Sequence, residues 1–384
     1  MRGAVFPWRE NNRFELLVDG GRFFPAMLES IAGASRQIDV ELYLVEAGSC
    51  SEQLLVALTE AARRGVAVRC LFDGFGTLRM DAALRRQLEE AGAELRVFNP
   101  VRFGHGLHNL HRDHRKIFII DGEEAFVGGS GATDDFWDPA KSDCNWHEVM
   151  VRIQGPLVED WLALFERQWE AVGRRRAWKP RPRRGRERPP PPPAAQEGQG
   201  RVAYADARQH RDILQALIRA LVGGQERIWF ATPYFLPTWR VRWALRRAAR
   251  RGVDVRLLLT GRHTDNPPVR FAGQRYYRSL LRAGVRIYEY QPRFIHAKMV
   301  LVDNWVSVGS CNFDHWNLRF NLEANVEAVD RGLSQAVAAS FVKDFAQSRE
   351  ITLEFWRSRP WWRRAREWLW GSLDRLVIGV LGRG

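Results

Sequence analysis

The 384-residue chain is long enough for two domains with ordinary cores, and four widely scattered cysteines exclude a disulfide scaffold. Its formal charge of +14, from 59 Lys plus Arg against 45 Asp plus Glu, implies an anionic partner, either nucleic acid or an acidic membrane surface. Sixteen Trp favour the membrane interface, yet no apolar stretch reaches the roughly 18 residues of a spanning helix.

The first twelve residues lack the apolar core of a signal peptide. From Phe14 the periodicity predicts alternating helices and strands. Residues 37–44 (QIDVELYL) read as a strand, 51–64 as a helix stopped by Gly65, and 66–72 as a second strand. Residues 81–91 read as a helix ended by Gly92, and 94–98 as a third strand. The second half repeats this order: a strand at 227–235, a helix at 241–251, a strand at 253–260, a helix near 274–283 and a strand at 285–290. Residues 62–69 (ARRGVAVR) match 249–256 (ARRGVDVR), which an internal duplication explains and a solenoid does not. The pattern predicts an α/β fold of two related domains, each with a mixed, largely parallel sheet flanked by helices.

Between the halves, residues 174–200 (RRRAWKPRPRRGRERPPPPPAAQEGQG) are too rich in Pro, Arg and Gly for a packed core and read as an extended linker. The expected partition is 1–173, linker 174–200, 201–350, and a tail at 351–384. In that tail Trp361, Trp362, Trp368 and Trp370 mix with Arg363, Arg364 and Arg366, the pattern of a helix lying in a membrane interface.

Each half carries one copy of a motif. His114, Lys116 and Asp121 are followed by Gly128-Gly129-Ser130; His296, Lys298 and Asp303 are followed by Gly309-Ser310-Cys311-Asn312. In a strand the His and Lys of H-x-K share a face, so two such strands would turn two imidazoles and two ammoniums into one cleft. Only five of the 59 basic residues are Lys, yet both motif positions are, which points to a compact, rotatable charge rather than a planar fork.

Such a set suits a phosphodiester: lysines neutralise its oxygens, one imidazole attacks phosphorus, and the other moves the proton. Ser130, Ser310 and Asn312 would add donors to the phosphate. Glu148 and Glu323 are candidates to fix each histidine's tautomer, and Asp121 and Asp303 to orient neighbouring groups. Tyr234, Phe235, Trp239 and Arg262 are candidate walls. Residues 101–110, an insertion before the first motif that the second lacks, read as a loop over the cleft. His105, His108, His111 and His114 recur every third residue but lack the carboxylate or thiolate company of a metal site, so no metal and no cofactor are expected. His147, His210, His263 and His315 read as ordinary surface or core histidines, His315 being close enough to Asn312 to line the cleft.

The repeated H-x-K-x4-D with its Gly-Ser closure resembles the phospholipase D superfamily, and within it the bacterial cardiolipin synthases that lack amino-terminal membrane helices. His111 to Lys116 (HRDHRK), residues 317–323 (NLRFNLE) and 20–24 (GGRFF) carry further likeness. Gly129 and Gly131 depart from it, standing where Ser and Asn are common, and Gly309 follows Asp303 one residue early. The resemblance implies two phospholipase D-like domains about a pseudo-two-fold, with catalytic His114, Lys116, Asp121, His296, Lys298 and Asp303. It implies phosphatidyl transfer from phosphatidylglycerol to a second phospholipid, giving cardiolipin and glycerol through a phosphatidyl-histidine. By analogy His114 is the nucleophile and His296 the general acid and base. The implied partner is an anionic phospholipid membrane, with no nucleic acid and no obligate protein partner, and the implied location is peripheral, at the cytoplasmic face of a bacterial membrane. The alternatives are hydrolysis to phosphatidic acid, a nuclease of the same superfamily, and a non-catalytic binding protein.

Overall fold

A computed structural model of the chain describes residues 5–104, 106–138, 140–141, 145–173, 189–193, 197–206, 210–314, 317–361 and 370. The first half runs β1 (Arg13–Val18), α1 (Gly20–Gly33), β2 (Gln37–Leu42), α2 (Ser49–Arg63), β3 (Ala67–Asp73), α3 (Ala82–Glu90) and β4 (Glu94–Phe98). A 3₁₀ turn (Gly106–Leu110) leads to β5 (Arg112–Asp113), β6 (Lys116–Ile120), β7 (Glu124–Gly128), β8 (Val149–Gln154) and α4 (Leu157–Gly173). The second half runs β9 (Gln199–Asp206), β10 (His210–Arg211), α5 (Asp212–Gly223), β11 (Arg227–Thr232), α6 (Trp239–Arg250), β12 (Asp254–Thr260), α7 (Pro267–Gln274) and α8 (Tyr277–Leu281). Then come β13 (Arg286–Tyr290), β14 (Met299–Val302), β15 (Trp305–Gly309), α9 (Asn317–Phe320), β16 (Asn321–Val329), α10 (Arg331–Ala346), β17 (Ser348–Ile351) and α11 (Leu353–Ser358).

The first sheet is ordered β1-β8-β7-β6-β2-β3-β4 and the second β10-β9-β16-β15-β14-β11-β12-β13-β17. Strands joined through helices pair in parallel, β2–β3–β4 in one and β11–β12–β13 in the other. Apart from a short parallel pairing of β5 with β16, the rest of each sheet is antiparallel, beginning where β6 lies against β2 and β14 against β11. The sheets are mixed, and the expected extended parallel pairing is confined to these three-strand blocks. The motif strands return through short turns, at 121–123 and 303–304, and a short turn can only produce an antiparallel neighbour.

Local chemistry explains the element ends. Gly65 and Gly252, the matching glycines of the ARRG repeats, take φ of +91° and +90°, the left-handed residue that closes α2 and α6. The helix read near 274–283 is two: α7 starts earlier, on an Asn266 cap followed by Pro267, and gives way to α8 after Gln274.

The two sheets face each other. Ile117, Ile119 and Val127 of the first, Met299, Leu301 and Val306 of the second, and Trp161 of α4 with Phe341 of α10 share one apolar core. The alternate residues Phe118 and Phe126 turn outward under α1 and α2, while Val300 and Val302 turn outward under α5 and α6. This is why the apolar runs after each motif lysine are continuous: both faces are buried. The tail expected from residue 351 begins inside this body. Ile351 ends β17, and Trp356 is buried against Tyr277 with ring centroids 4.7 Å apart. Residues 362–369 and 371–384, the Trp- and Arg-rich remainder, lie outside the described residues, as does 174–188 of the expected linker, whose last two residues already belong to β9.

Candidate active site

Each motif is anchored on the opposite half. β5 pairs in parallel with β16, placing Asp113 opposite Leu322, and the His114 N–H donates to the Leu322 carbonyl at 2.9 Å. In mirror fashion His147 bridges Ile295, and the His147 carbonyl accepts N–H bonds from His296 (2.7 Å) and Ala297 (3.0 Å). The residue after each of these partners is a glutamate. The Glu323 oxygens lie 3.0 and 3.1 Å from His114 Nδ1, and Glu148 Oε2 lies 2.5 Å from His296 Nδ1. Both carboxylates are fully buried. The two glutamates therefore meet the histidines as expected, but crossed, each half supplying the carboxylate for the other. With Nδ1 engaged, Nε2 of each ring points away from its carboxylate.

Within H-R-K the middle residue turns away, so Arg115 is buried against Glu41 at 3.3 Å while Lys116 returns to the histidine's side. Lys116 Nζ donates to the His114 carbonyl at 2.5 Å and lies 5.2 Å from the centre of the Tyr43 ring. Lys298 is fully buried, and its Nζ reaches Glu148 (3.2 Å), His296 Nδ1 (2.6 Å) and the His296 carbonyl. Burial, reinforced by the charge on Lys298 and opposed by Glu323, pushes Lys116 down to about 7. Burial likewise lowers Lys298, with Glu148 opposing. Burial holds His114 below its ordinary value, and burial with adjacent Lys298 takes His296 down to about 3. For Glu148, burial acts upward but Lys298 and His296 outweigh it, so its carboxyl sits below the ordinary value. His114 feels the charge of Lys298 and His296 that of Lys116, so the two half-sites form one electrostatic unit.

The closures differ in a way that explains the glycine at 129. Ser310 donates to Glu323 at 2.5 Å, holding that carboxylate. A Cβ added at Gly129 would fall 2.2 Å from Glu148 Oε2, so no side chain fits there and Lys298 engages the carboxylate instead. Ser310 and Ser130 were expected to face a phosphate, but both hydroxyls bond the protein, Ser130 through the Gly131 carbonyl at 2.9 Å. Asn312 is buried near the closure with Oδ1 unpartnered.

Asp121 and Asp303 require a correction, because neither lies in the cleft. Five residues of strand, about 16 Å, separate Asp121 from Lys116. Asp121 accepts backbone N–H bonds from Ser35 (2.9 Å), Arg36 (2.8 Å) and Gln37 (2.9 Å), and Asp303 accepts them from Gln225 (2.9 Å), Glu226 (2.9 Å) and Arg227 (3.0 Å). Both hold left-handed turn positions, φ +53° and +51°, and tie each turn to the start of β2 or β11.

Several neighbours carried no periodic signal. Tyr43 packs on His114 with ring centroids 4.8 Å apart, while Phe136 and Trp146 flank His296 at 5.2 and 5.3 Å. Trp146 stands two residues before Glu148, the nearest hint the sequence offered. His147, read as ordinary, is a buried clamp between Asp19 (2.7 Å) and Asp344 (3.1 Å). Of the candidate walls, Tyr234 donates to Asp265, Phe235 is buried in the core under α6, and Trp239 and Arg262 are exposed. In the histidine series His108 and His111 lie with ring centroids 6.1 Å apart, and His111 Nδ1 is 3.1 Å from the Phe320 carbonyl. His105 and His315 fall outside the described residues. Among the described residues no cluster of His, Cys, Asp and Glu could hold a metal ion, and no helix is long and apolar enough to cross a membrane.

A duplicated α/β chain that joins two H-x-K half-sites in one buried cluster defines a phospholipase D-like protein. Residues 27–169 and 210–345 both match a single family model, described as cardiolipin synthase, PLD-like domain, and the chain belongs to that family. It is 34% identical over 367 residues to cardiolipin synthase B of Salmonella typhi, covering 92% of this chain and 86% of the relative. It is 32% identical over 363 residues to cardiolipin synthase B of Escherichia coli K12, with the same coverage. Among solved structures, phosphatidylserine synthase of Haemophilus influenzae Rd KW20 shares the fold with a TM-score of 0.74 at 14% identity, covering 96% of this chain and 94% of that one.

Proposed function

We propose that the chain is a phosphatidyltransferase that makes cardiolipin from phosphatidylglycerol and a second phospholipid, releasing glycerol. The crossed His–Glu pairs beside two buried lysines carry this reading: a phosphodiester bound there meets two imidazole Nε2 atoms and two ammoniums. The named relatives support the choice of lipid.

His114 Nε2 attacks phosphorus, and the bond to the glycerol oxygen breaks as His296 gives that oxygen a proton. His296 then takes the proton of the acceptor hydroxyl, the new phosphorus–oxygen bond forms, and the phosphorus–nitrogen bond to His114 breaks. Lys116 and Lys298 offset the charge on the non-bridging oxygens in both steps. Both rings give their Nδ1 proton to a buried carboxylate, Glu148 at 2.5 Å in the case of His296, so His296 acts as the acid in its doubly protonated form, and the order of roles follows the analogy with relatives in which the first motif attacks. Lys116 bonds the His114 carbonyl, so His114 gives its Nδ1 proton to Glu323 and keeps an Nε2 lone pair for attack. Asp121 and Asp303 take no part in the chemistry. The site works at the surface of an anionic membrane, on the cytoplasmic side.

Purified protein mixed with phosphatidylglycerol vesicles, with products read by mass spectrometry, should yield cardiolipin and glycerol together. Phosphatidic acid without cardiolipin would sink transfer in favour of hydrolysis. His114→Ala and His296→Ala should each abolish turnover.

A further inference from the structure

Eleven large hydrophobic side chains are exposed among the described residues, and seven of them stand where the strands that build the cleft end. Phe75 and Leu78 follow β3; Val101, Phe103 and Leu110 follow β4. Trp239 and Trp243 open α6, which begins beyond the same end of β11. Parallel strands β2, β3 and β4 end together, and Tyr43, just past β2, packs on His114, so these loops rim the site. On the other half, Pro237 bridges Asp314, two residues beyond Asn312, bringing the start of α6 to the same closure.

The rim is built rather than loose. Asn99 Nδ2 donates to the His108 and His111 carbonyls (2.7 and 2.8 Å), and Arg102 and Asn109 exchange two bonds (2.9 and 3.3 Å). The loop so closed turns Phe103 fully into solvent, at 108% relative exposure. Asp73 fixes the neighbouring loop through the N–H groups of Phe75 (2.8 Å) and Gly76 (3.1 Å). Exposed Arg79, Arg102, Arg240 and Arg262 are interleaved with the apolar groups. Holding a phenyl ring wholly in water forfeits roughly 1.5–3 kcal/mol of burial, so the bonds that fix it there point to an occupant outside the chain.

Resting on the lipid reading of the cleft, we propose that this rim is the membrane-docking face: its apolar groups enter the boundary of an anionic bilayer, its arginines meet the headgroups, and the cleft mouth is pressed onto the lipid. Exposed apolar side chains interleaved with arginines match the layered polarity of that boundary better than they match any other large anionic partner.

The test is co-sedimentation of the full chain with vesicles of phosphatidylglycerol and phosphatidylcholine. A rim variant (Leu78→Ser, Phe103→Ser, Trp243→Ser) should bind at least tenfold more weakly, whereas Val56→Ser with Val342→Ser, exposed elsewhere, should bind like the unaltered chain. Unfolding midpoints within about 2 °C of the parent for both variants exclude misfolding as the cause. Equal binding by the rim variant overturns the proposal, as does an equal loss in the control variant. Failure of the lipid reading looks different: vesicle binding that depends on the rim, with no lipid product formed, refutes transfer and upholds the docking face.

Discussion

At the scale of single residues, the crossed carboxylates make the sharpest prediction. Glu148→Gln and Glu323→Gln preserve shape but remove the anion that fixes each imidazole, so kcat should fall by roughly 10²–10⁴-fold in steady-state kinetics, and Glu148→Gln should also lower the unfolding midpoint because it leaves buried Lys298 without its carboxylate. Lys116 predicts a pH dependence. Its ammonium, brought down to about 7, is charged below that pH and neutral above it, so kcat/KM should decline as pH rises through about 7. Lys116→Arg, which cannot lose its charge in this range, should abolish that decline even at a lower rate. Asp121→Asn should leave kcat within about twofold yet cost about 1–2 kcal/mol in chemical denaturation, because three backbone N–H groups lose an ionised acceptor. The pairing of His with Lys was legible because strand alternation is local. The aspartates were misread because the spacing that repeats them reports a repeated turn as faithfully as a repeated active site. The crossing was not legible at all: His114 and Glu323 are 209 positions apart, and no local pattern tells which half a carboxylate will serve.

At the scale of elements, the alternation of strand and helix was readable wherever a helix crossed back to a parallel neighbour, as from β2 to β4. It was not readable for α7, where a capping Asn and a proline outweighed periodicity. The His147 clamp also belongs here, since it ties Asp19, which leads into α1, to Asp344 on α10 in the other half. Burial lowers the His147 pKa but the two carboxylates outweigh it, raising it to about 9. A raised imidazole contributes stability that is complete below its unfolded value, roughly 6.5, and is lost as pH climbs through about 9. Asp19, held below its ordinary value of 3.8, contributes in the opposite sense, above that value and not in acid. Thermal melts from pH 6 to 10 should therefore show a decline on the alkaline side, and His147→Gln should flatten it while costing roughly 3 kcal/mol at neutral pH.

For the whole molecule, the duplication and the mixed α/β class were evident from the ARRG repeats and paired motifs, but the sheet-to-sheet core was not, because an apolar run buried on both faces does not reveal what lies beyond. That core joins Ile117, Met299, Trp161 and Phe341, and β5 of the first half pairs with the start of β16, an inner strand of the second half's sheet. The halves should therefore unfold together: urea titrations followed by Trp fluorescence and far-ultraviolet circular dichroism should superimpose in one transition, and two separated transitions would contradict the shared core.

The crossing of glutamates also has a bearing on inheritance. A substitution at Glu323 removes the carboxylate that holds the histidine encoded by the other repeat, so on the proposed mechanism the two repeats would not accumulate changes separately and neither would decay into a passive scaffold while its sibling works on. Selection sees them as one unit, although Gly129 with Lys298 on one side and Ser310 on the other record two different local solutions to steadying the same carboxylate.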